Sequence, residues 1–415
     1  MNYDIDAVRA QFPALATQDD GVRRIYLDNP AGTQVPARVA EAMSRCLLET
    51  NANVGGYFRT SAAADAVVAE ARAAMADFLN AASADEIVFG QNMTTMTLHV
   101  SRSIGRLMRP GDEIVVSRMD HDANVWPWVL LARDLELEIR WLPFNTGTYE
   151  FDPGSLDDVL TDRTRLVCIG GASNLLGTIN DVAAVCAKAR AIGALTYIDA
   201  VQSVPHVATD VQAIGCDFLV CSPYKFFGPH QGVLYGRSEV MEQLEPYRVR
   251  PAPSRFPGSF ETGTQSIEGC AGISAAVDYL AWIGTSMAGA GDRPSALTAA
   301  MKLLFEYEKS LGAQLIKGLM SIEGVTVRGI TNPGALDRRV PTVSFTHDRV
   351  ASATIAEALA KQNIFVWSGH NYAVEAARAL GIYESGGAVR IGPVHYNTAR
   401  EIDETLDALR AILES

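Results

Sequence analysis

The residues best suited to chemistry in this chain are a carboxylate and an amine that follow two predicted strands. Asp199 ends the apolar run LTYID (195–199), and Lys225 comes just after DFLVCS (217–222). Because open α/β sheets bind ligands at the carboxyl ends of their strands, both side chains are expected to lie in one crevice. A lysine amine placed there can form an imine with a carbonyl compound.

Two neighbouring side chains make this interpretation more specific. An Asp–Lys pair so far apart in sequence is, by itself, also typical of a solvated surface pair. Ser222 lies three residues before Lys225 and can donate its hydroxyl to a phosphate, and Gln202 lies three residues after Asp199 and can bond a phenolic oxygen. These side chains together predict a site for pyridoxal 5′-phosphate (PLP). Lys225 would bind its aldehyde, and Asp199 would keep its ring nitrogen protonated.

The elements that must position these residues alternate between strand and helix. Helix-like stretches separate several short apolar runs, a pattern that predicts an α/β fold with a mostly parallel sheet. From about residue 294 long helical stretches alternate with short strands, which indicates a second, α+β domain. We therefore predict a large domain at 21–265 and a smaller one built from 1–20 and 266–415. The runs predicted as strands are EIVF (86–89), EIVVS (113–117), LEIRWL (137–142), RLVCI (165–169), LTYID (195–199), DFLVCS (217–222) and GVLYG (232–236).

Composition narrows the functional class. The 415 residues include 35 Lys and Arg against 48 Asp and Glu, a net charge of −13 that disfavours binding to nucleic acid or to an anionic membrane. No secretory leader or membrane-spanning run is found, so a cytoplasmic location is expected. The cysteines lack CxxC spacing, which predicts buried thiols and no metal site.

The order of several motifs resembles the class V aminotransferases, the family that contains the cysteine desulfurases. DAVQSVPH (199–206) followed by SPYKFFGP (222–229) is similar to the family signatures D-x-x-Q-x-x-x-H and S-x-x-K. The resemblance spans about residues 20 to 410. It implies the PLP-dependent transferase fold of type I, the aspartate aminotransferase fold, with a mostly parallel mixed seven-stranded sheet in the large domain. Further similar segments are YLDNPAGTQVP (26–36), EIVFGQNMTTMTLHV (86–100), MDHDANVWPW (119–128) and SNLLGT (173–178).

The resemblance also implies residue roles in cofactor binding. His121 would stack on the pyridine ring and relay protons, and Tyr224 replaces the histidine that commonly precedes the lysine. Thr264, in FETGTQS (260–266), would reach into the site of a neighbouring subunit, which implies a homodimer. The remaining cofactor contacts implied are Met93 and Thr94 at the phosphate, Asn174 and Gln202 at the ring oxygen, and Ser222 at the phosphate.

The same resemblance implies a set of substrate contacts. Arg390, in GAVRIGPVHYNT, would bind the α-carboxylate of an amino acid through its planar guanidinium. His395 and Arg59 would line the same cleft, and His370 and Tyr372 would gate it or shuttle protons.

One position departs from the cysteine desulfurases. The loop that presents their catalytic cysteine corresponds to WSGHNYAVEAARALGI (367–382), and its cysteine position is Tyr372. No cysteine follows Cys270 in the chain. Persulfide chemistry on this loop is therefore not expected. The segment is similar to a desulfurase-like subfamily that lacks the cysteine.

The implied reaction starts when an amino acid displaces Lys225 as an external aldimine and the freed lysine removes the α-proton to give a quinonoid. We favour β-elimination from a cysteine-type substrate, a C–S lyase, because close relatives handle cysteine. A class V aminotransferase and an amino-acid epimerase stay open as alternatives, since fold does not decide among them. A non-catalytic PLP-fold binding protein is disfavoured by the presence of Lys225, Asp199, His121 and Arg390.

Overall fold

A computed structural model describes residues 3–414 of the chain. Its strands are β1 (Gln18–Asp19), β2 (Val22–Arg23), β3 (Ile25–Tyr26), β4 (Ile87–Gly90), β5 (Glu113–Ser117), β6 (Glu138–Leu142), β7 (Thr164–Gly170), β8 (Leu195–Asp199), β9 (Phe218–Cys221), β10 (Gly232–Gly236), β11 (Val325–Arg328), β12 (Val343–His347), β13 (Ile364–Phe365), β14 (Trp367–Gly369) and β15 (Ala388–Ile391).

The α-helices alternate with these strands in the first part of the chain and dominate its later part. They are α1 (Ile5–Arg9), α2 (Ala37–Glu49), α3 (Arg59–Leu79), α4 (Met93–Gly105), α5 (Trp126–Leu135), α6 (Ser155–Val159), α7 (Val182–Ala191), α8 (Val211–Ile214), α9 (Ser238–Met241), α10 (Ile267–Ala288), α11 (Arg293–Met320), α12 (Ser352–Ala360), α13 (Val374–Ala379) and α14 (Ala399–Leu413).

The largest sheet has seven strands in the order β4-β10-β9-β8-β7-β5-β6. The strand β10 runs antiparallel to both of its neighbours, whereas β9, β8, β7, β5 and β6 pair in parallel. Each of the seven apolar runs forms one of these strands, so the predicted mostly parallel, mixed sheet is confirmed.

The sequences of these strands are continuous apolar runs because both faces of the sheet are buried. Along β7, Val167 and Ile169 belong to one core cluster, and Leu166 and Cys168 belong to another. The first core also contains side chains of α3, α7 and α10, and the second contains those of α4 and α5. Helices therefore cover the sheet on both sides and leave its strand ends free to carry loops.

A smaller unit is built around the antiparallel sheet β11-β12-β15-β14. Its core includes side chains of α11, α12 and α14. Ile25 and Leu27 also lie in this core, and β3 pairs in parallel with β13. Helix α10, by contrast, packs within the core of the large sheet. The predicted domain limits at 20/21 and 265/266 stay predictions; this packing puts residues 25–27 with the smaller unit and α10 with the larger.

Among residues 3–414, no helix combines the length and the apolar character needed to cross a membrane. The cytoplasmic location stays a prediction.

Helix α10 and the start of α11 pack closely in the core of the large sheet. Gly284 of α10 faces the start of α11, where a Cβ at this glycine would lie 1.9 Å from the carbonyl oxygen of Ala296. Backbone atoms cannot move aside as a flexible side chain can, so only glycine allows this helix contact.

We expect Gly284→Ala to lower the free energy of unfolding by about 1–3 kcal/mol, because the added methyl group must push the two helices apart. Gly291→Ala is the matched control, since its Cβ would meet no atom within 4 Å. Urea unfolding followed by circular dichroism measures both variants. Equal stability of the two would show that the helix contact is not as close as described.

Candidate active site

A cavity of about 480 Å³ opens at the carboxyl ends of the parallel strands. Its lining comes from the loops that follow β4, β5, β7, β8 and β9. The cavity brings together every residue predicted for cofactor binding except Thr264: Met93, Thr94, His121, Asn174, Asp199, Gln202, Ser222, Tyr224 and Lys225.

Lys225 ends a short 3-10 helix, Pro223–Lys225, that directly follows β9. Its side chain is buried, and its Nζ donates to the carbonyl oxygen of Pro30. Burial lowers the pKa of Lys225 to about 7; the charge of Arg390 acts in the same direction, and Asp199 and Asp28 oppose it. Near neutral pH a large share of this amine is therefore uncharged and able to attack a carbonyl.

Asp199 is the last residue of β8 and is buried. Burial raises the pKa of Asp199 to about 6. The hydrogen bond from the backbone N–H of Val201 to Oδ1 (2.9 Å) and the charge of Lys225 act in the opposite direction and lower this pKa. Above pH 6 the side chain is mostly a carboxylate. A buried carboxylate at this position suits a ring nitrogen that must stay protonated.

His121 and Asp120 follow β5 on the same edge of the sheet. The Nδ1 atom of His121 accepts a hydrogen bond from Ala123 N (3.0 Å). Burial, aided by the charges of Lys225 and Arg390, lowers the pKa of His121 to about 3, so the ring is neutral and presents an uncharged face. Burial raises the pKa of Asp120 to about 7, and its Oδ2 accepts from Asn124 Nδ2 (2.9 Å).

The start of helix α4 forms one end of the cavity. Asn92 caps this helix through a hydrogen bond from Thr95 N to its Oδ1 (2.9 Å). The amides of Met93 and Thr94 belong to the first turn, which has no intrahelical acceptors, and the helix dipole favours an anion there. Gly232 permits this arrangement, because a Cβ on it would lie 2.8 Å from Met93 N. A phosphate is the expected ligand at such a helix start.

Tyr224 and His230 form a stacked pair in the lining of the cavity. Their ring centroids are 5.0 Å apart, with an angle of 11° between the planes. His230 lines the cavity and is exposed, so an imidazole stands near the position where Tyr224 replaces the histidine of the family.

Arg390 reaches the site from β15 of the smaller sheet. It is buried; its Nη1 donates to the carbonyl oxygen of Asn174 (3.1 Å), and its Nη2 lies 3.5 Å from Asp28 Oδ1. Burial lowers the pKa of Arg390 and raises that of Asp28. The Nε atom of Arg390 has no hydrogen-bond partner among residues 3–414, which leaves donor capacity for a ligand.

The loop that carries Tyr372 is held against the cavity wall. Asn174 Nδ2 donates to the carbonyl oxygen of Asn371 (2.7 Å), and Asp122 N donates to that of Tyr372 (2.8 Å). The ring of Tyr372 stacks on His121 at 5.4 Å between centroids, although its side chain is 65% exposed. His370 accepts from Tyr372 N at its Nδ1 (3.1 Å).

Three predicted residues lie elsewhere. Arg59 is exposed at the first position of α3, and Thr264 is exposed in the loop before α10. His395 is fully buried, with its Nε2 2.6 Å from Tyr279 Oη. None of the three is part of the cavity lining; Arg390, His370 and Tyr372 also lie outside it, but Arg390 and Tyr372 contact the lining residues Asn174 and His121. Their roles at the cleft stay predictions, and only Thr264 has a role that requires a second subunit.

Several buried polar atoms around the cavity have no partner within the described part of the chain. They include Asn174 Oδ1, Gln202 Oε1 and Gln231 Oε1. Buried polar atoms usually bond something, so these atoms indicate a polar ligand. The site fits PLP at four points. The helix start suits its phosphate, and the buried amine suits its aldehyde. The buried carboxylate suits its ring nitrogen, and the neutral imidazole suits its ring face.

Sequence reasoning missed four residues of this site, namely Asp28, Asp120, His230 and Gln231. Asp28 directly follows the apolar run IYL, and Asp120 comes three residues after the run EIVVS, so an acid within a few residues of a strand end is the signal that the sequence offers for these two. His230 and Gln231 follow Pro229 and carry no spacing that distinguishes them from a surface loop.

We expect the amine of Lys225 to react at unusually low pH in protein freed of cofactor. The neutral form of an amine predominates above its pKa, so reaction with a small aldehyde and borohydride should be half-maximal near pH 7, the pKa that burial produces. A lysine in water titrates at about 10.4. Peptide mass spectrometry measures labelling at each lysine. Exposed Lys361 is the internal control, and a Lys225 profile that coincides with that of Lys361 would contradict the expectation.

Comparison with known proteins gives the same family over nearly the whole chain. The chain is 32% identical over 427 residues to a cysteine desulfurase of Yersinia pestis (strain Pestoides F), covering 99% of each sequence. It matches the apo structure of a cysteine desulfurase from Thermococcus onnurineus NA1 with a TM-score of 0.88 and 28% identity, covering 100% of this chain and 99% of the other. The cysteine desulfurase CsdA of Escherichia coli matches with a TM-score of 0.84 and 27% identity over the same shares. The model of the family "Aminotransferase class-V" matches residues 25–405, so this chain belongs to that family of PLP-dependent enzymes.

Proposed function

We propose that the protein is a C–S lyase that removes sulfur from cysteine, or from a cysteine conjugate, by β-elimination without a persulfide on the enzyme. The observation that carries the proposal is the buried, weakly basic amine of Lys225 in one cavity with Asp199 and His121, beside Arg390. The similarity to cysteine desulfurases supports cysteine as the substrate type.

The cofactor would be held at three points. The amides of Met93 and Thr94 and the Ser222 hydroxyl would bind its phosphate. Lys225 would bind its aldehyde and Asp199 its ring nitrogen. His121 would cover the ring, and the amide groups of Asn174 and Gln202, both part of the cavity lining, would face its phenolic oxygen. When bound, PLP supplies an electron-accepting ring that makes the α-proton of an attached amino acid acidic.

The chain's own groups then position the substrate and move its proton. Arg390 binds the substrate carboxylate in place of its weak contact with Asp28, which is 3.5 Å long. Lys225 Nζ takes the α-proton, and the pair of electrons from the broken Cα–H bond expels sulfur from the β-carbon. With water, L-cysteine thereby gives sulfide, ammonia and pyruvate, and no oxidant or second amino acid is needed.

The position of the thiols supports elimination without a persulfide. All six cysteines are buried, at positions 46, 168, 186, 216, 221 and 270. Burial raises the pKa of Cys186 to about 11 and that of Cys270 to about 12, which keeps these thiols protonated and poorly nucleophilic. Tyr372 occupies the loop position instead, and the contacts of this loop with Asn174 and Asp122 hold it at the wall.

We also propose that the active form is a homodimer. Thr264 is exposed and lies outside the cavity of its own chain, as expected for a residue that completes the phosphate site of a second copy. Tyr57 and Phe58 expose large aromatic side chains just before α3, at 109% and 59% relative exposure. Neighbouring exposed aromatic groups are typical of an interaction surface.

The purified protein with PLP should convert L-cysteine to equal amounts of sulfide and pyruvate, and Lys225→Ala should abolish this activity because the base and the imine-forming amine are the same atom. Methylene-blue sulfide detection and a lactate dehydrogenase assay for pyruvate measure the two products. Other products would identify other enzymes. Formation of alanine would identify a persulfide-forming desulfurase, and formation of a keto acid without sulfide would identify an aminotransferase. Formation of D-cysteine would identify an epimerase. Any of these three results, or wild-type activity in the alanine variant, contradicts the proposal.

The same reaction mixture tests for an enzyme-bound persulfide. Intact mass spectrometry after alkylation of the native protein should show neither an alkylated thiol nor an added sulfur atom. Tyr372→Cys is the positive control, because it places a thiol on an exposed side chain of the same loop. Sulfur on the wild-type chain would refute elimination without a persulfide.

Light scattering should give a molar mass about twice 44.6 kDa. Tyr57→Ser combined with Phe58→Ser should reduce this mass by removing apolar contact area, whereas Met320→Ser, an exposed residue on α11, should not. Thr264→Ala should weaken PLP binding at unchanged mass. A monomeric wild type that retains full activity would exclude the shared site.

A further inference from the structure

A row of four aromatic rings leads away from the wall of the cavity. His121 lines the cavity, and the ring of Tyr372 stacks on it with 5.4 Å between centroids and 23° between planes. His370 and Tyr372 are nearly perpendicular, at 6.1 Å and 86°, and His370 stacks in turn on Tyr383 at 5.5 Å and 23°. Tyr372, His370 and Tyr383 lie outside the cavity lining, so His121 is the member of the row that meets a ligand.

Burial alone does not account for the position of the Tyr372 ring. Tyr372 is 65% exposed, and an exposed side chain has several staggered rotamers open to it. A ring without further constraint would exchange among them. The stack on His121 therefore depends on the backbone that carries the tyrosine.

That backbone is strained. Asn371 and Tyr372 have φ angles of 52° and 59°, both in the left-handed region. Asparagine adopts this region readily, but for a bulky residue such as tyrosine it is an outlier. Strain of this kind persists only where surrounding contacts impose it, and it is concentrated at functional sites.

Two hydrogen bonds from the region of the cavity wall impose this backbone. Asn174 Nδ2 donates to the carbonyl oxygen of Asn371 (2.7 Å), and Asp122 N donates to that of Tyr372 (2.8 Å). Because Asp122 directly follows His121 in the chain, the loop is bonded to the same turn that carries the imidazole. The tyrosine ring and the imidazole are therefore held at a fixed separation.

The imidazole of His121 gains from such a neighbour. Its Nδ1 accepts a hydrogen bond from Ala123 N (3.0 Å), which fixes one edge of the ring but leaves the ring free to tilt about that edge. A flat ring against one face removes the tilt, and stacked contacts between aromatic rings are favourable. Burial lowers the pKa of His121 to about 3, so the imidazole in this stack is uncharged.

We propose that Tyr372 is a positioning residue that holds the His121 imidazole parallel to the ring of bound PLP. The inference rests on the proposed function for the identity of that ligand. Tyr372 acts through His121 and lies outside the cavity lining itself. The strained loop thus contributes a fixed wall to the site.

The test is a double-mutant cycle that measures the dissociation constant of PLP by fluorescence titration of the cofactor-free protein. Tyr372→Asn removes the ring and suits the left-handed backbone. It should raise the constant about two- to tenfold, the range that corresponds to one aromatic pair, because part of the binding free energy must then hold the imidazole in place. Tyr372→Phe retains the ring and is the matched control. This control, and Tyr372→Asn in a His121→Ala background, should each change the constant less than about twofold.

Three results of the cycle would contradict the proposal. Equal effects of Tyr372→Asn with and without His121 would mean that the tyrosine acts on the fold or on PLP directly. An equal loss in Tyr372→Phe would assign the effect to the hydroxyl group, and no loss in Tyr372→Asn would remove the role altogether.

Urea unfolding separates positioning from a general effect on stability. The unfolding midpoint of Tyr372→Asn should lie within about 0.5 M of the wild-type midpoint, because loss of the stack and relief of the left-handed tyrosine oppose each other. A much lower midpoint would show that the ring supports the fold as a whole, against the proposal.

The stack itself is measurable without PLP. In the NMR spectrum of cofactor-free protein labelled at histidine, the ring current of Tyr372 should move the ring-proton signals of His121 upfield. His121→Ala identifies these signals by their loss, and they should move back in Tyr372→Asn but not in Tyr372→Phe. Signals that stay in place in Tyr372→Asn would overturn the inference.

The positioning role and the proposed function fail separately. A wild type that shows the shifted His121 signals and binds PLP, but releases no sulfide from L-cysteine, would refute the C–S lyase and retain the role of Tyr372. Sulfide release without shifted His121 signals would refute the role of Tyr372 and retain the lyase.

Discussion

Removal of the Lys225 amine from water costs free energy, and the rest of the site is arranged around that cost. Asp199 and Asp28 favour the charged amine, whereas burial and Arg390 favour the neutral one, and the result is a pKa near 7. Because water is excluded, each of these interactions is stronger than it would be at a surface. The same burial keeps His121 neutral and raises the pKa of Asp199. These groups therefore titrate as a coupled set, and a change in one charge alters the others.

The fold brings these charges together from distant parts of the chain. Strands β5, β7, β8 and β9 are parallel, so the loops after their carboxyl ends meet at one edge of the sheet. Asp28 and Arg390 come from the smaller unit, where residue 28 bridges to Gly392. The cavity lining belongs to the large sheet and its loops, and Arg390 of the smaller unit contacts the lining residue Asn174, so any movement between the units would alter this contact.

The sequence allowed a good prediction of what depends on local pattern. All seven strands of the large sheet were identified because each is a short apolar run. Asp199 and Lys225 were singled out because one ends such a run and the other comes shortly after one. The contact between His206 and Glu308 could not be predicted, since it joins positions on a loop and a helix whose packing is determined by the whole core. For the same reason the sequence does not show that His395, five residues after Arg390, is fully buried and bonded to Tyr279.

The pairing of β3 with β13 has a consequence for how the protein is made. Ile25 and Tyr26 leave the ribosome more than 300 residues before their partners Ile364 and Phe365. At about 5–20 residues per second, the early strand waits on the order of tens of seconds with an unpaired edge. The large sheet, whose strands all lie between residues 87 and 236, can form during that interval. Nascent chains thus carry Lys225 and Asp199 before they carry Arg390, and the site is completed only after β15 has been synthesised.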